Sequence, residues 1–106
     1  MSNSESAISK DGLEYVVIRS KDSGVHAGYL KKHEGVDVVL VDTRRIYYWS
    51  GASTLSELAT KGVANPDNCK FPAPIAEIRV FGICEIIPCT EAARESIINV
   101  PIWTQH

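Results

Sequence analysis

A series of short apolar runs, with turn residues between them, constrains the fold of this chain more than any other feature. The runs occupy residues 13–20, 24–32, 36–41 and 44–49, and they are rich in β-branched and aromatic side chains. Such runs are typical of β-strands, and breaks of only a few residues are typical of antiparallel neighbours. The pattern predicts a curled antiparallel meander, in which Gly28 marks a bulge or a close approach of another backbone or a ligand.

One longer run follows in the second half of the chain. Residues 75–87 carry apolar side chains at both odd and even positions, with Gly82 near their middle. We expect one long strand that bends at Gly82 and serves two sheets or an intersubunit contact. The apolar terminal pair Ile102 and Trp103 is also expected to pack on something, such as a neighbouring subunit. These features predict an oligomer.

Two short helices are predicted from their capping residues. Thr54 and Glu57 have the capping-box spacing, and Gly62 is the kind of residue that ends a helix. Thr90 is the expected N-cap of a second helix over residues 91–98. The chain is therefore predicted to be an α+β protein with a small antiparallel, curled β-sheet or partial barrel, two short helices and an oligomeric assembly.

Length and charge exclude some functions. The 106 residues predict a single domain over residues 12–106, after a serine-rich segment, residues 1–11, that we expect to be disordered. The formal net charge is −2, which argues against a binder of nucleic-acid polymers because such a protein needs a basic surface. No apolar run approaches the ~20 residues of a membrane span, and the N-terminal segment lacks a signal peptide's apolar core. A cytosolic protein without membrane association is expected.

Sequence signatures of common enzyme and metal sites are missing. The chain has no P-loop, no dinucleotide-binding glycine motif and no nucleophile elbow. Its three cysteines, Cys69, Cys84 and Cys89, include no C-x-x-C pair, so neither a disulfide framework nor a metal site is expected. Cys69 with His26 or His33 is conceivable as a nucleophile pair, but a lone cysteine beside a proline-rich segment is far more often structural. We predict no catalytic residue, no metal and no cofactor.

Residues 42–71 bring together the groups that a small anionic nucleotide needs. Planar arginine forks suit phosphate, aromatic rings stack on a base, and the start of a helix presents free backbone N–H groups. The alternative is that the aromatic strand belongs to the core or to an interface, and that the arginines are only solvated or salt-bridged. The candidate ligand-binding residues of this stretch are Arg44, Arg45, Tyr48, Trp49, Ser53, Thr54, Asn68 and Phe71.

The two arginines are neighbours on one predicted strand, so their side chains point to opposite faces. A pocket on one face therefore takes only one of them from this strand. We assign a ligand phosphate to Arg45, which shares its face with Tyr47 and Trp49, and a structural or intersubunit role to Arg44. If the anion does not sit at the start of the first helix, the next candidates are Val25, His26 and Arg94.

Three segments carry a resemblance to a known family: SGVHAGYL, TRRIYYWSGASTLSELATKGVANPDNCKF and EIRVFGICEIIPCTEAARESI. Together they resemble the first-described family of Thoeris anti-defence proteins, which are small phage proteins. The most specific part is the run WSGASTLSELATKGV followed by NCKF, and EIIPCTEAA is a second anchor. The resemblance covers nearly all of residues 15–103.

Proteins of that family are sponges, which bind a signal molecule and hold it without cleaving it. The signals are the cyclic ADP-ribose isomers made by bacterial TIR-domain enzymes. The resemblance therefore implies a non-enzymatic binder that acts in the cytoplasm of the infected bacterial host and keeps the Thoeris effector inactive. It also implies a homo-oligomer, a hexamer built from dimers. Some members bind cyclic di- or trinucleotides of CBASS-type defence at a separate intersubunit site, so a second ligand class stays open.

Two other functions compete with this interpretation. One is a phage or prophage structural or interaction protein, which would use the aromatic strand for assembly and would have no nucleotide ligand. The other is an enzyme that degrades a nucleotide. One experiment separates the three functions: the protein is incubated with a cyclic ADP-ribose isomer and then denatured. Release of intact ligand indicates a sponge, no release indicates an assembly protein, and an altered product indicates an enzyme.

Overall fold

The computed structural model describes residues 12–104, and within them it is an α+β fold, as predicted. The sheet is antiparallel and five-stranded, with the strand order β4-β3-β2-β1-β5. The expected disorder of residues 1–11 and the last two residues of the predicted domain lie outside the described residues. In chain order the elements are β1 (Tyr15–Ser20), β2 (Gly24–Glu34), β3 (Asp37–Ile46), α1 (Leu55–Lys61), a 3₁₀ helix (Pro66–Asn68), β4 (Ile75–Val80), β5 (Ile83–Pro88) and α2 (Glu91–Ile98).

The connection between β4 and β5 makes the sheet curl. Only Phe81 and Gly82 separate these strands in the chain, yet they lie at opposite edges of the sheet. The edges must therefore approach each other at this end. Gly82 has φ 70° and its carbonyl accepts from Lys21 N at 3.1 Å, while Ile83 N donates to Val36 O at 2.8 Å. The expectation of one long strand was wrong, because β4 and β5 are separate strands. The chain nevertheless changes direction at Gly82, where a bend was expected.

Strand β3 is continuous where the sequence suggested a turn at residues 42–43. Its pairing with β2 passes from Ala27 opposite Arg44 to Tyr29 opposite Val41, so β3 carries one extra residue across from Gly28. This is a β-bulge, and Asp42 takes the left-handed φ of 50° that aspartate tolerates better than most residues. Residues 42 and 43, which the sequence analysis assigned to a turn, form this bulge instead. Beyond it the strand ends at Ile46, three residues earlier than predicted.

Gly28 is confirmed as a point of close approach. A Cβ atom at this position would lie 2.8 Å from Thr43 Oγ1 and 3.1 Å from Val41 O. Contacts of 2.8 Å are shorter than a side chain tolerates without a shift of its neighbour. The glycine therefore lets β2 and β3 approach at the bulge and lets the Thr43 hydroxyl lie over the β2 backbone.

Both faces of the sheet bury apolar side chains. On one face, α1 and α2 pack on a core that includes Tyr15, Leu58, Phe71 and Ile97. On the other face, all five strands contribute to one cluster, including both edge strands, which is possible only because the sheet is curled. That inner cluster consists of Val16, Ile18, Val38, Leu40 and Val80, with Leu30, Ile78, Ile83 and Ile86 packed against it.

The predicted helix caps are confirmed. Thr54 Oγ1 accepts from Glu57 N at 3.1 Å at the start of α1, and Gly62 ends α1 with φ 79°. Thr90 Oγ1 accepts from Ala93 N at 3.1 Å at the start of α2. These bonds satisfy N–H groups that have no partner inside the helix. Within residues 12–104, no helix is long and apolar enough to cross a membrane.

Candidate functional site

Arg44 is part of the core, which corrects its place among the ligand-binding candidates. The residue is 3% exposed, and burial lowers the pKa of its guanidinium. A buried charge is tolerated only when hydrogen bonds replace water, and here backbone carbonyls do so. The acceptors are the carbonyl oxygens of Phe71 (2.8 Å), Pro72 (3.1 Å), Ile97 (3.2 Å), Ile98 (3.4 Å) and Val100 (2.9 Å). The structural role assigned to one of the two arginines therefore belongs to Arg44.

Phe71 and Trp49 are also used for packing. Phe71 is 0% exposed, so its ring cannot stack on a ligand base, and its assignment as a base-stacking residue was wrong. Trp49 is half-buried against the helix-side core, and its indole Nε1–H donates to Ala52 O at 3.2 Å. An aromatic residue before a helix has the same sequence appearance whether it faces the core or a ligand. Only the tertiary packing decides between them.

The most specific part of the family-like motif is explained by local structure. Gly51 has φ 97°, and a Cβ there would lie 2.4 Å from Ala64 N. A Cβ at Gly62 would lie 2.3 Å from Ser96 Cβ, where α1 meets α2. Cys69 Sγ accepts from Ser50 N at 3.4 Å. These residues hold the loop around α1 in shape, so the motif identifies the fold and not by itself a ligand site.

The start of α1 is a poor anion site. Ser53 N donates to Glu57 Oε1 at 2.7 Å, and Glu57 N donates to Thr54 Oγ1. Two of the N–H groups that a phosphate would use are thus occupied by the chain's own side chains. The Glu57 carboxylate also places a negative charge at this end of the helix. The structure does not support Ser53 and Thr54 as phosphate ligands.

Arg45 and His26 are brought together as cross-strand partners. Arg45 is half-buried, and its Nη1 donates to Ser23 O at 3.2 Å. His26 is 0% exposed, and neither ring nitrogen has a hydrogen-bond partner among the described residues. Burial, and secondarily the Arg45 charge, lowers the pKa of His26 to about 4. The imidazole is therefore neutral at pH 7, while Val25 beside it packs toward the helices on the other face.

The remaining predicted residues lie apart from this pair. Asn68 is exposed at the end of the 3₁₀ helix. Arg94 on α2 forms ion pairs with Glu91 and Glu95, and it hydrogen-bonds with Tyr29. It borders a cavity of about 310 Å³ whose lining residues are Tyr29, Asp42, Arg94, Glu95 and Ile98. Two carboxylates are paired with this guanidinium and Asp42 adds a third to the cavity lining, so this surface does not favour an anion.

An exposed aromatic surface lies beyond the end of β3. The Tyr47 and Trp103 rings are stacked, with centroids 5.6 Å apart and planes 19° apart. The Lys70 ammonium lies 5.5 Å from the Trp103 ring centroid and 5.9 Å from the Tyr48 centroid. Tyr47 is 65% exposed and Tyr48 is 52% exposed. We name Tyr47, Tyr48, Lys70 and Trp103 the aromatic platform.

Backbone bonds between distant segments hold the platform in place. Tyr47 N donates to Lys70 O at 3.0 Å, and Lys70 N donates to Tyr48 O at 2.7 Å. Trp103 N donates to Phe71 O at 3.0 Å. Of the four platform residues, only Tyr48 was a sequence candidate. The expectation that Trp103 packs is met by Tyr47 of the same chain.

The fold and the platform define the class of this protein: an α+β domain with a curled antiparallel sheet and an exposed aromatic and cationic surface. Within it, the chain belongs to the family described as a domain of unknown function, DUF6948, whose family model matches residues 13–97. No curated protein and no solved structure gives a significant match. The matched residues include Tyr47, Tyr48 and Lys70 and stop before Trp103.

Proposed function

We propose that this protein binds a cyclic ADP-ribose-type signal and holds it without chemical change, as a sponge in the cytoplasm of an infected bacterial host. The observation that carries the proposal is the aromatic platform, where large exposed rings lie beside an ammonium group. Further support comes from the resemblance to the Thoeris anti-defence family over residues 15–103. A bound signal would no longer reach the Thoeris effector, and the same argument extends to CBASS-type signals if a second ligand class binds.

The platform suits one part of such a ligand well. Adenine presents a flat π-face, and stacking of a base on an aromatic side chain is worth ~1–3 kcal/mol. Lys70 supplies a point charge for a phosphate next to that base. Exposed aromatic rings are otherwise unfavourable on a protein surface, and exposed patches of this kind commonly mark binding sites.

Arg45 is the residue to which we assign a second phosphate contact. Its side chain has one backbone partner, Ser23 O, which leaves other guanidinium N–H groups for an oxyanion. It also precedes Tyr47 by two residues, which places it at the platform end of β3. Arg44 has no such capacity, because its fork is directed at the five carbonyls of the core.

The affinity that a sponge needs implies more than one protomer. If the effector responds to nanomolar signal, binding must be worth ~12 kcal/mol or more. One stacked base at ~1–3 kcal/mol and two charge-assisted contacts at ~1.5–3 kcal/mol each give only ~4–9 kcal/mol. Enclosure of the ligand between subunits would supply the difference through desolvation and slow release. We therefore include a homo-oligomer, from dimer to hexamer, in the proposal.

Ligand capture tests the proposed function directly. The protein is incubated with a cyclic ADP-ribose isomer, freed of unbound ligand by gel filtration, heat-denatured and analysed by mass spectrometry. Intact isomer in stoichiometric amount is the expected result. A linear or otherwise altered product would replace the sponge with an enzyme, and the absence of any retained nucleotide for all isomers would remove the proposed function.

A second candidate function is supported by the same exposed surface. Tyr47, Tyr48 and Ile102 are each more than half exposed in the single chain, as an interface for self-assembly or for a protein partner would be. An assembly protein of this kind would form its oligomer without retaining a nucleotide. Light scattering together with ligand capture distinguishes the two functions, because only a sponge yields both an oligomer mass and a released ligand.

A further inference from the structure

Arg44 lies between the two chain segments that carry half of the platform. One segment, Phe71 and Pro72, follows Lys70 directly, and the other, Ile97 to Val100, leads from α2 to Trp103. The guanidinium donates to carbonyl oxygens of both segments, at 2.8–3.4 Å. A single planar group thus hydrogen-bonds to two segments that are far apart in the chain, one beginning at Phe71 and the other at Ile97.

The Phe71 carbonyl is the point where this clasp meets the platform. It accepts from Arg44 Nη2 at 2.8 Å and from Trp103 N at 3.0 Å. A carbonyl oxygen has two lone pairs, so both bonds can be made at once. The arginine therefore fixes the acceptor that holds the Trp103 backbone, and the Trp103 ring then lies on Tyr47.

Charge reinforces the geometry at the end of α2. The last carbonyls of a helix have no partner inside it and carry the negative end of its dipole. Arg44 Nη1 lies within 3.2 Å of Ile97 O and 3.4 Å of Ile98 O, at that end. Lysine has the same charge, but its three donors lie on a single nitrogen, so it cannot reproduce the five bonds that Arg44 directs to both segments from three nitrogens.

We propose that Arg44 is the positioning residue of the aromatic platform: through the shared Phe71 carbonyl it keeps Trp103 stacked on Tyr47. This inference deepens the proposed function and rests on it for the ligand, but not for the platform geometry. Arg44 itself touches no ligand. Without its fork, Trp103 leaves Tyr47, and the surface that receives the base is lost while the sheet stays folded.

The test compares the Arg44→Lys variant with the wild-type protein and with Arg79→Lys, a matched control on the exposed face of β4. Without ligand, NMR measures the Tyr47 ring-proton shifts, which depend on stacking, and the hydrogen exchange of the Trp103 amide. In Arg44→Lys we expect Tyr47 shifts close to those of an unstacked tyrosine, Trp103 exchange at least tenfold faster, and β1 amides still protected. Affinity for the cyclic ADP-ribose isomer should fall at least tenfold, and the control should match the wild type in all readouts.

A folded Arg44→Lys variant with unchanged Tyr47 shifts and unchanged Trp103 exchange would overturn the inference. If the variant does not fold, wild-type hydrogen exchange decides: the Arg44 guanidinium protons and the Trp103 amide should share one opening free energy, lower than that of the β1 amides. Independent openings would overturn the inference. Failure of the wild type to retain any ligand would remove the proposed function alone, because the ligand-free readouts still report on positioning.

Discussion

Acidification should destabilise this protein through His26. The imidazole is buried in the curled sheet, has no hydrogen-bond partner among the described residues, and lies opposite the Arg45 guanidinium. Its pKa falls from the ordinary value of 6.5 to about 4 in the folded state, mainly because burial disfavours the charged form. Between these two values the unfolded chain binds the proton more readily than the folded chain. His26 therefore makes its full contribution to the free energy of unfolding above about pH 6.5, and this contribution is lost as the pH falls toward 4.

The interval between the two pKa values sets the size of the effect. It corresponds to about 3 kcal/mol for full titration, and about 2 kcal/mol of this is lost between pH 7 and pH 5. Carboxylates titrate in the same range, so a variant is needed to isolate the histidine. His26→Leu replaces the imidazole with an apolar group of similar volume, and His33→Gln removes an exposed histidine at the β2–β3 hairpin as a matched control.

Urea unfolding at pH 7 and pH 5 gives the required comparison. The wild type and His33→Gln should each lose about 2 kcal/mol more than His26→Leu over this range. Direct titration of the His26 ring by NMR should give a pKa near 4 in the folded protein. Equal pH dependence in the wild type and His26→Leu, with both folded, would show that His26 is not held neutral by burial and would refute the reasoning.

Other expectations concern binding, packing and assembly. Arg45→Ala should weaken binding of the signal by tens of fold in calorimetry, since a charge-assisted contact is worth ~1.5–3 kcal/mol, whereas Arg44→Ala should lower the unfolding midpoint. Ser53→Asp should bind as tightly as the wild type, because Glu57 already holds that helix start. Gly28→Ala should cost ~1–3 kcal/mol of stability in urea unfolding, because the new methyl meets Thr43. Light scattering at micromolar concentration should give an oligomer, and a monomer mass would contradict the intersubunit part of the proposal.

Local signals predicted local structure well. The caps at Thr54 and Thr90 follow from side chains that bond to an N–H three residues further on. The end of α1 at Gly62 follows from the positive φ of a glycine whose backbone N–H donates to Leu58 O. The sheet order was not predictable in the same way. That β4 and β5 lie on opposite edges depends on hydrogen bonds of Gly82 and Ile83 with two distant hairpins, and nothing in residues 75–87 alone specifies those partners.

The candidate site was predicted in part because strand alternation separates side chains reliably. Arg44 and Arg45 were expected on opposite faces, and one is indeed buried while the other stays near the surface. Alternation does not say which face is the core. Phe71 and Trp49 were assigned to a ligand, but helix packing turned both inward. Their chemistry suits a base, and the same chemistry suits a hydrophobic core equally well.

The contact between Tyr47 and Trp103 in the platform could not be predicted from a sequence pattern. Tyr47 and Trp103 are separated by 56 positions, since 103 minus 47 is 56, and no periodicity links them. They meet because the bridge between Tyr48 and Lys70 and the bridge between Phe71 and Ile102 align three chain segments side by side. Arg44 then bonds two of these segments from within the core. The exposed rings that are available to a ligand therefore depend on a buried arginine, whose structural role the strand alternation indicated but whose partners only the fold reveals.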